Sequence, residues 1–163
     1  MATPTYTLID SVTLGASAAS VTFSGISGTG KGDLVLSAEF TTSDAADYVH
    51  YQINLDTGSN YPYVWMRADG STPLSGYATA AFVFIGLGDT SVSTQAISQI
   101  ADFSATDKHK SILTRANSNG DGRVRAEATR WANTAAITSL QINANSSTLQ
   151  AGSTFFLYQL VSE

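Results

Sequence analysis

Six consecutive residues, Asn117-Ser118-Asn119-Gly120-Asp121-Gly122, place side-chain oxygens at alternate positions ahead of a glycine. Oxygen donors at that spacing form the opening half of a calcium loop. A helix-loop-helix site also needs a bidentate glutamate at its twelfth position. Ala128 stands there, and Glu127 misses it by one residue. Asn-Gly and Asp-Gly also supply the positive φ that a tight hairpin requires. The expectation is therefore a hairpin turn, with Asn117, Asn119 and Asp121 as a weak metal set and no resident cofactor.

Other residues could carry chemistry, and each has a plainer reading. Asp102, Asp107 and His109 cluster in sequence, as an acid/base pair would, but His50 is the chain's one other histidine. They read as a solvated loop. Asp56-Thr57-Gly58-Ser59 occurs once, whereas aspartic protease chemistry needs two carboxylates sharing a proton. It reads as a strand-terminating turn. Asp33, Glu39, Asp56 and Glu127 are the carboxylates that a glycoside hydrolase would draw on, and no spacing pairs them. No enzymatic activity is expected. Tyr48, Tyr51, Tyr61, Tyr63, Trp65 and Tyr77 form an aromatic-rich stretch that could stack on a sugar. Tyr51 and Trp65 fall in predicted strands and read as core. Tyr61 and Tyr77 fall in predicted loops and are the candidates for ligand or partner contact.

The composition narrows the classes. Hydrophobic residues make up 43% and charged residues 13%, the latter about half the usual share. Long solvent-facing helices need charged outer faces, so a β-rich chain is expected. The net charge is −5. Arg123, Arg125 and Arg130, with Lys108 and Lys110, are the one basic cluster, and Glu127 interrupts it. A nucleic-acid partner is not expected, because counterion release needs a basic patch. With no cysteine, disulfides, zinc knuckles and thiol catalysis are excluded. MATPTYTLIDS has no secretory pattern, and no apolar run approaches the roughly 18 residues of a membrane span. A soluble chain made in a cytoplasm, with no membrane partner, is expected.

Strands must position these groups. Residues 6–13 are rich in β-branched and aromatic types. Period-two alternation marks 20–26, 33–40 and 48–55 as half-buried strands. In the last of these, Val49, Tyr51, Ile53 and Leu55 are expected inward and His50, Gln52 and Asn54 outward. A short aromatic strand covers 63–67. Residues 80–87, AAFVFIGL, read as a strand buried on both faces or covered by a partner. Residues 95–103 read equally as a strand or as the one short helix. Strands follow at 110–115, 123–131, 137–143 and 154–161, the last of them central. Val124, Ala126 and Ala128 are expected inward, with Trp131 anchoring the corner. About nine or ten short strands with at most one helix indicate a single-domain antiparallel β-sandwich over residues 1–163.

Three segments together resemble a known family: YTLIDSVTLGASAASVTFSGI at 6–26, TRANSNGDG with RWANTAAITSLQI at 114–142, and AGSTFFLYQL at 151–160. They are similar to small virion proteins of tailed bacteriophages, and to domains of longer structural proteins, including those of marine and cyanobacterial phages. The resemblance implies a jelly-roll-like module on the outer surface of the virion, synthesised in the host cytoplasm. It implies a capsid decoration (cement) protein that binds the major capsid protein and other virion proteins, as a homo-oligomer, with a trimer the working guess. The alternative is a tail-associated or fibre module that binds host-surface carbohydrate. The resemblance assigns no functional residue.

Overall fold

In a computed structural model, which describes residues 5–28, 32–68, 70–118 and 122–161, the chain is an all-β sandwich of two antiparallel sheets. The described residues contain twelve strands and no helix. They are β1 (Tyr6–Thr13), β2 (Ser20–Ser24), β3 (Gly32–Phe40), β4 (Tyr48–Ile53), β5 (Tyr61–Ala68) and β6 (Leu74–Ala80). There follow β7 (Val83–Leu87), β8 (Thr94–Ile100), β9 (Lys110–Ser118), β10 (Arg123–Trp131), β11 (Ser139–Ala144) and β12 (Thr154–Val161).

The small sheet runs β2-β11-β4-β7 and the large one β1-β12-β3-β8-β9-β10-β5-β6. Strands β2 to β8 cross between the two sheets, with β5 and β6 alone staying together, and β11 returns beside β2. That is jelly-roll connectivity. The β9–β10 hairpin is an addition to it, inserted between β8 and β5 at the middle of the large sheet. Strands β12 and β1 extend the other flank, so β12 is interior, as its apolar sequence predicts.

One core fills the space between the sheets. It draws Phe23, Val49, Tyr51 and Ile53 from one side and Leu34, Leu36, Phe40, Ile112, Trp131 and Phe155 from the other. Strand β7 is buried along its whole length. Its own chain covers it, because its inner face packs on β8 and β9. Within it, Gly86 has φ 155°, and an added Cβ would lie 2.8 Å from Thr94 Cγ2 and 3.1 Å from the Phe40 ring. Glycine there lets the two sheets approach.

Several expectations need correction. The strand count is higher than expected because β6, LSGYATA, is a strand despite its glycine and serine. It is an edge strand, where side-chain packing demands little. Strand β8 settles the open choice at 95–103. Thr94, Ala96, Ser98 and Ile100 are buried and Gln95, Ile97 and Gln99 exposed, a period of two. The recurrence of Ile97 and Ile100 at helical spacing is incidental. Strand β4 stops at Ile53, because Asn54 and Leu55 adopt φ of 52° and 58°. Leu55 is therefore exposed. His50 points away from the core face of Val49 and Tyr51, as expected, but it is buried because Phe82 covers its ring, 4.3 Å between centroids.

The largest correction concerns the hairpin. In β10 the buried residues are Glu127, Thr129 and Trp131, while Val124 is 58% exposed and Ala128 is exposed. In β9, Lys110, Ile112 and Thr114 are buried and Leu113 is 60% exposed. Val124, Ala126 and Ala128 of β10 face out, and Arg125 and Glu127 face in.

Candidate functional site

The registers of the large sheet align outward-facing residues into rows that cross all eight strands. One row runs Leu8, Tyr158, Val35, Gln99, Leu113, Ala128, Val64 and Tyr77. The row beside it carries Phe156, Ser37, Ile97, Arg115, Ala126 and Met66 across the six middle strands. Arg115 is the one charged residue in these two rows. Leu8, Leu113, Val64, Met66 and Tyr77 are between 51% and 86% exposed. A depression of about 780 Å³ follows the second row from Phe156 to Met66 and Leu74. Another of about 490 Å³ adjoins it beside Tyr6, Leu113 and Tyr158.

Each residue reaches this face because a polar one can stay inside. Lys110 is fully buried, and its Nζ donates to the carbonyls of Ala105 (2.7 Å), Lys108 (3.1 Å) and Thr134 (3.3 Å). Burial lowers its pKa. Thr114 Oγ1, Ser98 Oγ and Tyr51 Oη form a buried chain at 2.8 and 2.9 Å. Glu127, 2% exposed, accepts from the Arg125 guanidinium and from Thr129 Oγ1 at 3.1 Å. Burial pushes the Glu127 carboxyl up, and Arg125 pulls it partly back. Buried polar groups are tolerated when fully hydrogen-bonded. This interior therefore lets β9 and β10 send Leu113, Val124 and Ala128 outward.

The residues singled out from sequence divide sharply. Tyr77 is 86% exposed and ends the first row, although it stands on β6 rather than in a loop. Tyr61 is corrected: it is the first residue of β5 and fully buried. Its hydroxyl accepts from Ile53 N–H at 3.1 Å and donates to Asp56 O at 3.2 Å. It supports the turn and cannot reach a ligand. Asn117 Oδ1 accepts from Gln95 N–H at 2.7 Å and stitches β9 to β8. Asn119 and Asp121 lie outside the described residues.

Asp56 does end a strand region, as its turn reading expects. Its carboxylate accepts from Gly58 N–H (2.9 Å), Asn60 Nδ2 (3.0 Å) and Trp131 Nε1 (2.8 Å), so Trp131 is pinned at the corner. Burial acts to raise the Asp56 carboxyl, but these donors hold it below its ordinary value. Asp102 pairs with Lys108 at 3.1 Å rather than with His109, which is exposed. The basic cluster disperses, since Lys110 points into the core and Arg130 is exposed. Leu8, Val64, Met66 and Leu113 were missed as site residues. The signal available was β10's apolar phase, had its direction been known.

Among known proteins, no family model and no curated sequence matches this chain. One solved structure, a double mutant of the alginate lyase Aly36B in complex with an alginate tetrasaccharide, aligns over 86% of this chain and 79% of its own at 6% identity. Its TM-score is 0.29, a likeness too distant to bear on what this chain binds or does.

Proposed function

We propose that the protein is a structural, non-catalytic module that clads the outside of a phage shell as a decoration protein. It grips the major capsid protein through the outer face of the large sheet. The observation that carries this reading is the reversed polarity of β9 and β10, with Leu113 and Val124 outside while Lys110 and Glu127 are inside. Strands that keep some charges inside while apolar residues stand outside are expected where a partner covers the exposed side. Eight strands at about 4.8 Å spacing span roughly 38 Å, and three rows of side chains (the two described and the next, through Asn117 and Val124) about 20 Å, giving about 760 Å². That matches the roughly 800 Å² each partner contributes to a standard interface. The resemblance to virion proteins supplies the identity of the partner.

The test is binding to phage shells that lack the protein, followed by co-sedimentation and heat challenge. The native chain should bind and raise the temperature at which shells open. M66E and L113E, each at an exposed position and so expected to fold, should weaken binding by about tenfold or more. Absence of binding by the native chain, or full binding by both variants, would sink this reading. Light scattering of the free protein checks whether it forms the expected trimer.

A second reading has its own observation. Tyr77 is 86% exposed at one end of the first row, and Tyr6 meets Tyr158 edge-on at 6.3 Å near the other. Aromatic rings flanking a shallow depression suit a sugar chain. A glycan array on which Y77A loses the signal supports a tail-associated, carbohydrate-binding role, and a silent array removes it.

A further inference from the structure

At one mouth of the sandwich, a hollow of about 150 Å³ lies between β7 of the small sheet and β5, β9 and β10 of the large one. Tyr48, Phe84 and Leu87 line one side, and Arg67, Arg123 and Arg125 line the other. Three of the chain's eight Lys and Arg residues therefore meet in one hollow of a protein with net charge −5.

Arg67 and Arg125 are direct cross-strand partners in the β5–β10 ladder. Like charges directly opposite one another destabilise a sheet. Both guanidiniums also lie against one ring, 5.4 and 5.0 Å from the Trp65 centroid, and Arg125 sits 4.2 Å from that of Phe84. The rings hold the two cations in place instead of letting them turn to solvent. Glu127 neutralises Arg125. Among the described residues no carboxylate pairs with Arg67, so this clamped pair carries one charge in excess. Arg123 has contacts of its own and stands beside them.

The geometry points to a binding site for a small organic carboxylate. Its oxyanion is taken by the Arg67 and Arg125 guanidiniums, and its body lies against Phe84 and Tyr48. The planar fork of arginine matches a carboxylate bidentately. Half the wall is apolar, which favours an anion carried on a ring or chain over a bare inorganic one. The volume corresponds to about five waters at roughly 30 Å³ each, enough for one such group. Arg67 and Arg125 also border the depression on the outer face of the large sheet, but the test uses the free protein and small acids, so its failure is distinguishable from failure of the shell-binding reading.

The experiment is side-chain NMR of the ¹⁵N-arginine-labelled protein, titrated with benzoate, glucuronate or inorganic phosphate at constant ionic strength made up with chloride. The Arg67 and Arg125 Nε–Hε resonances should move saturably with benzoate, with glucuronate or with both. The pattern tells an aromatic from a sugar acid. R67Q should weaken that response by about tenfold or more, while K108Q, at a remote exposed position, leaves it unchanged. If R67Q does not fold, R67K keeps the charge, loses the fork and should show the same loss. No saturable response to either organic acid overturns the proposal. So does saturation by phosphate alone, and so does an unchanged response in every folded Arg67 variant.

Discussion

Removing the Glu127 side chain is the sharpest perturbation of the interior on which the outer face depends. In E127A the Arg125 guanidinium keeps its place against Trp65 and Phe84 but loses its counter-charge. Breaking a buried ion pair from one side costs about 3–5 kcal/mol. Glu127 is 2% exposed, but the Arg125 side chain retains 20%, so some water reaches it. About 3 kcal/mol is therefore expected. With an m-value of about 2 kcal/mol per molar urea, the unfolding midpoint at neutral pH should fall by about 1.5 M. Replacing both partners, as R125M/E127L, removes the unpaired charge and keeps packing against the rings. It should recover at least about half of the loss. The pH dependence adds a second check. Burial raises the Glu127 carboxyl above its ordinary 4.5, so the folded state holds this proton more tightly than the unfolded one. Its contribution to stability therefore falls as pH rises from 4.5 through the folded value, and E127Q should remove that fall. An E127A midpoint within about 0.2 M of native, or a double variant as unstable as the single one, would refute the inverted-hairpin reasoning.

Three further outcomes follow from other contacts. W131F keeps the ring but loses the 2.8 Å bond to the Asp56 carboxylate, and should lower stability by about 2 kcal/mol, read as a Tm drop of about 4–8 °C. G86A forces a Cβ to within 2.8 Å of Thr94 Cγ2 at φ 155°, and should cost about 2 kcal/mol or more by urea unfolding; a native midpoint would show that the sheets can part there. Burial acts to raise the Asp47 carboxyl, but Ser146 and Ser147, through both backbone and hydroxyl donors, hold it below 3.8. Its stabilisation is thus present above pH 3.8 and lost as pH falls through the folded value, so D47N should flatten the acid limb of the Tm–pH curve.

The small sheet and the flanks of the large one are legible in sequence because their polarity follows the usual rule. Val21 and Phe23 in β2 alternate with polar neighbours, Leu34, Leu36, Ala38 and Phe40 share one face of β3, and all six are buried. The apolar run of β7 is likewise buried on both faces. The rule misleads at β10, where Val124, Ala126 and Ala128 look like the core phase. There the inner phase is Arg125, Glu127, Thr129 and Trp131, whose polar groups are satisfied by one another and by Asp56. Nothing in the alternation of one strand shows that Arg125 and Glu127 will pair with each other and turn inward. Tyr61 misled for a similar reason. Its neighbours Asp56, Gly58 and Asn60 look like a free loop, yet the loop folds back onto the tyrosine hydroxyl. Strand β6 was hidden by composition, since an edge strand can form with glycine opposite Trp65. The outer face was therefore invisible until the direction of one hairpin was known.

The claim that this face is the contact surface is tested most directly by hydroxyl-radical footprinting of the protein, free and bound to shells. Met66, Tyr77 and Leu113 are exposed on the free chain and should oxidise readily. On shells they should become protected, while Tyr48 and Leu55, exposed elsewhere on the molecule, stay reactive. Unchanged oxidation of Met66 and Tyr77 on the shell, with protection at Tyr48 or Leu55 instead, would contradict it.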